Sequence, residues 1–473
     1  MTLDITTAPS ADDIRSDRLA LLRAKLTGTL ALPGDDDWDD ARRAWSLAVD
    51  QRPEAVAHPV DADDVQAIVR TAAELGLGVT AQGTGHNAAP LGSLAGTILI
   101  RTDRMRGVEI DAVAMTARVE AGAWWADVTA AAAPHGLVGL AGTAADVGVV
   151  GYTLGGGLSW LGRSHGLAAN SVTAIEVVTA DGVLRRVDDQ HEPELFWALR
   201  GGGGSFGVVT ALEFRLYRLA TVEGGAFWWP LADAGRVLHA WRTWCETLPP
   251  SVTTIARVMR IPDAPGVPPH LAGRECTVVE VVAQETVEEA ARLVAPLRAL
   301  APELDMFGSM PASALSQIHG DPEGPVPAAG DGMMLRDLPA DAIDAFVAFA
   351  ESADAAPLMS IEFRLLGAEL APGRGEGGVV ADFDGGFIVF SGGMTVSPEH
   401  AALVTGALDA LAGVLEPWTA DTVYLNFAER PVAAEALFGD RLARLRRVKT
   451  AYDPQGRIRG NHPVRPLGDR EAS

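Results

Sequence analysis

Residues 148–157 read Gly-Val-Val-Gly-Tyr-Thr-Leu-Gly-Gly-Gly, and residues 201–207 read Gly-Gly-Gly-Gly-Ser-Phe-Gly. Upstream stands Gln82-Gly83-Thr84-Gly85-His86-Asn87. Glycine lets the backbone adopt positive φ and brings its N–H groups close to a ligand. Successive N–H groups of this kind form a concavity suited to phosphate. One such cluster reads equally well as a turn. Three, each beside a strand-like run, predict a cradle for an anionic ligand. No Gly-Lys-Ser/Thr follows any of them, so none is a Walker loop. Gly155-x-Gly157 lacks the rest of a dinucleotide fingerprint and lies too deep in the block to open a first βαβ unit.

Working outward, Asp61 with Asp64 three residues on suggests a variant capping box, and Val65, Ile68, Val69 and Ala72 keep helical spacing up to Gly76. Residues 78–82 and 97–101 read as strands. Residues 108–110 and 116–121 read as a hairpin, and 172–179 with 183–187 as another around Asp181-Gly182. Residues 124–133 read as a helix. Leu212, Phe214 and Leu216 alternate with Glu213 and Arg215, as in a half-buried strand. Residues 51–220 are therefore expected to form one α+β domain.

Residues 221–420 change character. Strand-like runs at 277–282, 359–366 and 387–390 alternate with Ala/Leu-rich helices at 285–300, 340–353 and 398–415. This predicts a second α+β domain whose antiparallel sheet is covered by helices. Residues 1–50 are expected to be a helical segment joining the first domain, with a helix over 41–49. Residues 421–473, with a helix over 441–450, are expected to return to the first domain.

The chain has 473 residues, enough for two or three domains, and a formal charge of −24. Such a balance disfavours nucleic acid and anionic lipid as partners. No run is long and apolar enough for a transmembrane helix, and the N-terminus lacks the pattern of a signal peptide. These features predict a cytoplasmic protein with no membrane partner, a monomer or a homodimer. Cys245 and Cys276 are too few for a disulfide framework or a Cys-rich metal site, and no metal is expected.

Taken in order, Pro59-Val60, the run 82–87, Asp146-Val147-Gly148, the run 152–157, Gly166-Leu167-Ala168-Ala169-Asn170 and 201–207 resemble the FAD-binding (PCMH-type) domain of vanillyl-alcohol-oxidase-type flavoproteins. Tyr424-Leu425-Asn426 and Asn461-His462-Pro463-Val464 resemble the end of its berberine-bridge-enzyme-like branch. The resemblance covers about residues 30–220 and 420–465. It implies FAD bonded through its 8α carbon to the histidine of the first loop, here His86. The position at which many members carry a second, cysteine link is Ala144, so the link through His86 is expected to stand alone. The resemblance further implies that Gln82, Gly83, Thr84, Gly85 and Asn87, with Thr143, Asp146, Gly148, Tyr152, Gly155 and Gly156, surround the cofactor. Val178 falls where adenine is held by backbone atoms. Gly207, Val209 and Asn461 fall beside the flavin and ribityl chain. Val147 stands where relatives control oxygen access, and a valine there resembles the oxygen-permissive members.

The match departs from the family at the catalytic base. Where many relatives have a second tyrosine, this chain has Phe427, which has no titratable group. Glu362, with Arg364 as charge partner, alternates with apolar neighbours and would share one strand face with it. Tyr424 and His319 are further candidates. An outward-facing ion pair, a structural tyrosine and a plain loop histidine are the respective alternatives. The pairs Trp124-Trp125 and Trp228-Trp229 are expected to serve core packing. The resulting expectation is an FAD-dependent oxidase that takes a hydride from a small organic substrate (an alcohol, sugar, amine or secondary metabolite) and passes electrons to oxygen. Alternatives are a dehydrogenase with another acceptor, a flavin-bearing non-redox enzyme or binding protein, or an unrelated scaffold in which the glycines are only turns.

Overall fold

The computed structural model describes residues 10–468 apart from 265, 266, 268, 270 and 376. Among these residues the chain builds a four-stranded and a five-stranded sheet side by side and one eight-stranded sheet, each with its own apolar core, and a two-stranded ribbon of Leu137–Val138 with Tyr217–Arg218. In the first sheet Ala55–His58, Thr97–Arg101 and Gly78–Gln82 run parallel, with Thr29–Ala31 antiparallel at the edge. The helix Ala62–Leu75 covers it. Asp61 accepts from the Asp64 N–H at its start, and Gly76 closes it at φ 68°. Asp64 does not reach back to its own cap as a capping box requires. Its carboxylate accepts instead from the N–H groups of Thr27, Gly28 and Val60.

The second sheet is antiparallel, ordered Val108–Asp111, Thr116–Glu120, Val208–Arg215, Val172–Val178, Leu184–Val187. Its core also takes up Leu425, Leu437, Leu445, Val448 and Val464, so the C-terminal segment packs back onto this part of the chain.

The large sheet is antiparallel, ordered Leu304–Asp305, Thr221–Pro230, Glu275–Ala283, Val252–Arg260, Ser360–Leu365, Phe387–Met394, Ala328–Leu335. Strand side chains alternate between faces. One face presents Val281, Ala256, Phe363 and Val389, which pack with the helices Ala234–Cys245, Val287–Arg298, Ala340–Ala350 and Pro398–Leu415. Trp229 lies in this same core, while Trp228 packs with Cys276 and Val278. The stretch 398–418 is long and apolar enough to cross a bilayer by length and composition. In this fold Val404, Leu408 and Leu411 are buried in the helical layer, and Asp409 is ion-paired with Arg430. The opposite face of the sheet carries Glu280, Arg257, Glu362 and Arg364 and turns towards the first two sheets.

The expected helix over 41–49 is replaced by a short one, Trp38–Ala41, followed by irregular chain with one bridge from Ser46 to Val326. The reason is tertiary. The N–H groups of Trp45, Ser46 and Leu47 are taken by the carbonyls of Thr84, Gly85 and Val326, so they are not free for helical bonds.

Candidate active site

The strand Gly78–Gln82 delivers the first glycine loop at its carboxyl end. Gly85 turns the chain at φ 88°, where a Cβ would come within 2.5 Å of Gln82 Nε2. Gly83 and Gly148 are open instead. A Cβ at Gly83 meets nothing nearer than 3.7 Å, and one at Gly148 nothing nearer than Thr84 at 3.8 Å. The two loops thus border each other. Buried polar atoms without a hydrogen-bond partner gather there: both amide atoms of Gln82, Nε2 of His86 and Oδ1 of Asn87. An unsatisfied buried polar group costs about 1–3 kcal/mol, so such a cluster needs a polar ligand to complete it. The open glycines and orphaned polar atoms fit an FAD at this position.

Residues 141–147 form the facing wall. The helix Trp125–Ala132 holds them, since Trp125 and Ala126 donate from their N–H groups to the carbonyls of Val147 and Ala145. Trp125 itself is in the core against Phe214 and Tyr152, whereas Trp124 carries the Arg106 guanidinium over its ring. Asp146 Oδ2 accepts from Trp45 Nε1 at 2.7 Å. His86 Nε2 stands 3.4 Å from Asp146 Oδ1, and its Nδ1 lies 2.7 Å from Thr84 Oγ1.

The second glycine cluster is not one loop. Val149–Leu154 is a short helix, and the glycines after it serve the C-terminal segment. Gly156 N–H donates to Thr153 O and Gly157 N–H to Tyr424 Oη, so neither is free for a phosphate. A Cβ at Gly155 would lie 1.8 Å from Asn426 Oδ1. Tyr152 donates its hydroxyl to Leu140 O. Val178 and Val209 are buried in the paired strands, and a Cβ at Gly207 would strike Val177. Asn87 donates to the carbonyls of Leu425 and Ala428, tying the first loop to the C-terminal segment. Asn461 accepts from His462 N–H, and His462 Nε2 bonds Ala428 O.

Opposite these loops the sheet face holds a buried ionic cluster. Arg257 Nη2 lies 2.5 Å from Glu280 Oε1. His319 Nδ1 lies 2.7 Å from Glu280 Oε2, and its Nε2 3.1 Å from Glu362 Oε2. Arg364 donates through Nε and Nη2 to Glu362 Oε1. Glu362 and Arg364 are thus a buried pair and not an outward-facing one. Burial alone would raise the Glu362 carboxyl, but Arg364 and His319 outweigh it and hold it well below the usual range. A carboxylate held that low accepts a proton poorly near neutral pH. Burial and Arg257 oppose a charged His319, yet Glu280, Asp321 and Glu362 raise it to about 9. His319 is therefore no plain loop histidine.

Phe427 closes this end. The Arg364 guanidinium sits 4.9 Å from its ring centre, and Phe390 and Tyr424 flank it. Tyr424 accepts from Gly157 N–H and from Asn426 Nδ2, and burial pushes its phenol well up. Its hydroxyl is committed to holding two segments together. The structure thus brings Glu362, Arg364, Tyr424 and Phe427 together on one side and His86, Thr84, Asn87 and Asp146 on the other. A small niche beside Arg364 is lined by Thr143, Trp160 and Ile255. Sequence reasoning missed Arg257, Glu280 and Trp45. The first two had a signal, a lone charge inside an apolar β run; Trp45 had none.

Comparison with known proteins agrees with this geometry. Residues 53–188 match the FAD binding domain family, and residues 423–465 match the family described as berberine and berberine like. The chain is 28% identical to (R)-6-hydroxynicotine oxidase of Paenarthrobacter nicotinovorans, over 94% of this chain and 98% of that protein. It is 33% identical to xylooligosaccharide oxidase of Thermothelomyces thermophilus, over 38% of this chain and 37% of that one. The fold superposes on the BBE-like 1 protein of Physcomitrella patens with TM-score 0.83 at 20% identity, covering 96% of this chain and 100% of the other. The cradle, the returning C-terminal segment and these matches together make the chain an FAD-linked oxidoreductase, with an FAD binding domain at 53–188 and a berberine-like segment at 423–465.

Proposed function

We propose that this oxidoreductase is an oxidase of small organic amines, with FAD held covalently through His86 alone. The observation that carries the reading is the cluster of orphaned polar atoms of Gln82, His86 and Asn87 at the first glycine loop, facing a wall whose Thr143 borders Arg364 of the buried ionic face. The flavin, when bound, supplies hydride acceptance and the return of electrons to oxygen. The chain supplies the rest. The first loop and residues 141–148 would hold the cofactor, and His86 would anchor it. Ala144 has no thiol for a second link. Trp160, Ile255 and Arg364 would line the sheet side of the cavity next to the 141–148 wall.

The amine reading is preferred to a sugar because the nicotine oxidase matches along both the cofactor and the substrate parts of the chain, whereas the sugar oxidase matches little more than a third of it. A substrate amine that sheds its proton to water before oxidation needs no protein base, which is consistent with Phe427 at the tyrosine position.

The test is a peroxide-release screen of cyclic and heteroaromatic amines against oligosaccharides, on protein whose acid-precipitated pellet has first been checked for yellow colour. Peroxide from amines with colour in the pellet supports the reading. Peroxide from sugars alone overturns the substrate class. Flavin reduced by an amine but stable in air makes the protein a dehydrogenase. Colour that leaves with the supernatant overturns the covalent link. His86→Ala is expected to release all its flavin on denaturation.

A further inference from the structure

Three distant parts of the chain close around one imidazole. Trp45 stacks on His86 with ring centres 4.1 Å apart and planes within 18°. Thr84 Oγ1 lies 2.7 Å from His86 Nδ1. Asp146 Oδ1 lies 3.4 Å from Nε2, an ion-pair distance without a well-directed hydrogen bond. Asp146 is itself fixed. Its other oxygen accepts from Trp45 Nε1 at 2.7 Å and from Gly324 N–H at 3.3 Å. Burial opposes its charge, but His86 and Trp45 outweigh burial and keep its carboxyl below the usual range. Trp45 in turn is pinned to the glycine loop through its own N–H to Thr84 O.

A carboxylate beside one imidazole nitrogen favours the tautomer with the proton on that nitrogen. Here that is Nε2, which leaves Nδ1 with a free lone pair. The Thr84 hydroxyl can donate into that lone pair until a better partner arrives. As Nδ1 forms a bond, positive charge grows on the ring, and a fixed carboxylate at Nε2 stabilises it. The same logic governs a histidine oriented by an aspartate in a hydrolytic triad.

We propose that Asp146, held by Trp45, is the positioning residue for attachment of FAD to His86. The inference rests on the covalent reading given above. In the attachment step a bond forms between Nδ1 and the carbon of the flavin 8-methyl group. One methyl C–H bond and the imidazole N–H bond break, and both protons pass to the flavin or to solvent. The freed electron pair stays on the flavin, which is left reduced by two electrons. Molecular oxygen then takes up that pair as hydrogen peroxide.

The test follows attachment itself and does not depend on turnover. Flavin-depleted protein is mixed with FAD in air, and samples are acid-precipitated over time. Non-covalent binding is followed in parallel by quenching of flavin fluorescence. Wild type is expected to accumulate flavin in the pellet. Asp146→Asn keeps an acceptor for Trp45 and is expected to bind FAD but attach it at least tenfold more slowly. Asp146→Glu is expected to recover part of the rate, which a merely structural role would not produce. Trp45→Phe keeps a stacked ring, loses the bond to Asp146, and is expected to slow attachment several-fold. It serves as the second variant should Asp146→Asn not fold. Attachment by Asp146→Asn at the wild-type rate, or by Trp45→Phe at that rate where it alone folds, overturns the role of Asp146 and leaves the covalent reading intact. A colourless wild-type pellet overturns the covalent reading, and the role of Asp146 with it.

Discussion

His319 Nε2 lies 3.1 Å from Glu362 Oε2 on the inner face of the large sheet, with both side chains almost wholly shielded from water. Their titration moves in opposite directions from the ordinary values. His319 is raised from 6.5 to about 9, while Glu362 is lowered from 4.5.

The pair therefore makes stability depend on pH in a defined sense. A raised histidine contributes stability that is complete below its unfolded value and fades as pH rises through its folded one. A lowered carboxylate contributes stability that is complete above its unfolded value and fades as pH falls through its folded one. Both contributions are intact between 4.5 and 6.5, and the histidine part is lost towards and beyond about 9. Melting temperatures of wild type and His319→Gln, taken from about pH 6 to about pH 10, should converge as the pH rises. A constant difference between the two across that range would show that His319 does not carry a proton in the folded protein.

Removing one charge from this cluster strands the others. Glu362→Gln leaves Arg364 and His319 facing a neutral amide in a buried place, which is expected to cost about 3–5 kcal/mol of stability. Changing Arg364 to Met in the same chain should return part of that loss. Urea midpoints of the single and double variants measure the difference. Equal midpoints for wild type and Glu362→Gln would mean that water reaches the pair and screens it.

The parts of this fold that were legible in the sequence are those where local pattern and tertiary environment agree. Gly78–Gln82 and Thr97–Arg101 are buried strands flanked by turn residues, and Gly76 takes the positive φ that only its position after an apolar helix suggested. The irregular path of 42–47 was not legible, because the N–H groups of Trp45, Ser46 and Leu47 bond to carbonyls far along the chain. The pairing of Asp146 with Trp45, 101 residues away, likewise leaves no local mark. Arg257 and Glu280 did leave one, each being a single charge amid apolar strand residues. Lys449 left another, seven residues after Leu442 on the buried stripe of its helix. A charge on a core face is a stronger sign of a built site than a charge in a loop, since burial is costly unless partners are provided.

Two glycines of the second cluster should respond oppositely to one methyl group. Gly151 is exposed in the helix Val149–Leu154, with nothing within 4 Å of a Cβ. Gly151→Ala should leave flavin content unchanged and raise stability by about 0.5–1 kcal/mol. Gly155→Ala would place its Cβ 1.8 Å from Asn426 Oδ1 and 3.0 Å from Leu425. It should lower stability by about 1–3 kcal/mol by overpacking, and loosen the C-terminal segment through loss of the Asn426 bonds to Tyr152 O and Tyr424 Oη. Thermal melts combined with limited proteolysis distinguish the two. Equal behaviour of both variants would mean that the C-terminal segment does not seat against Gly155.

Lys449 is the remaining charge whose removal should be felt well beyond its own helix. Its Nζ donates to Ser205 O at 2.5 Å, Asp453 Oδ2 at 2.6 Å and Ile458 O at 2.7 Å. All three hydrogens are thus committed, which is why a lysine is tolerated there with almost no exposure. Ser205 belongs to the third glycine cluster, and its hydroxyl accepts from Val464 N–H, so one ammonium fastens helix, loop and C-terminal segment together. Lys449→Met keeps the bulk of the side chain but leaves the Asp453 carboxylate buried with only the N–H groups of Arg457 and Ile458. The expected loss is about 3–5 kcal/mol, with partial recovery in Lys449→Met/Asp453→Asn, where no charge remains. Denaturant midpoints of the two variants give the comparison. A double variant no more stable than the single one would show that the lost bonds to Ser205 O and Ile458 O, and not the stranded carboxylate, set the penalty.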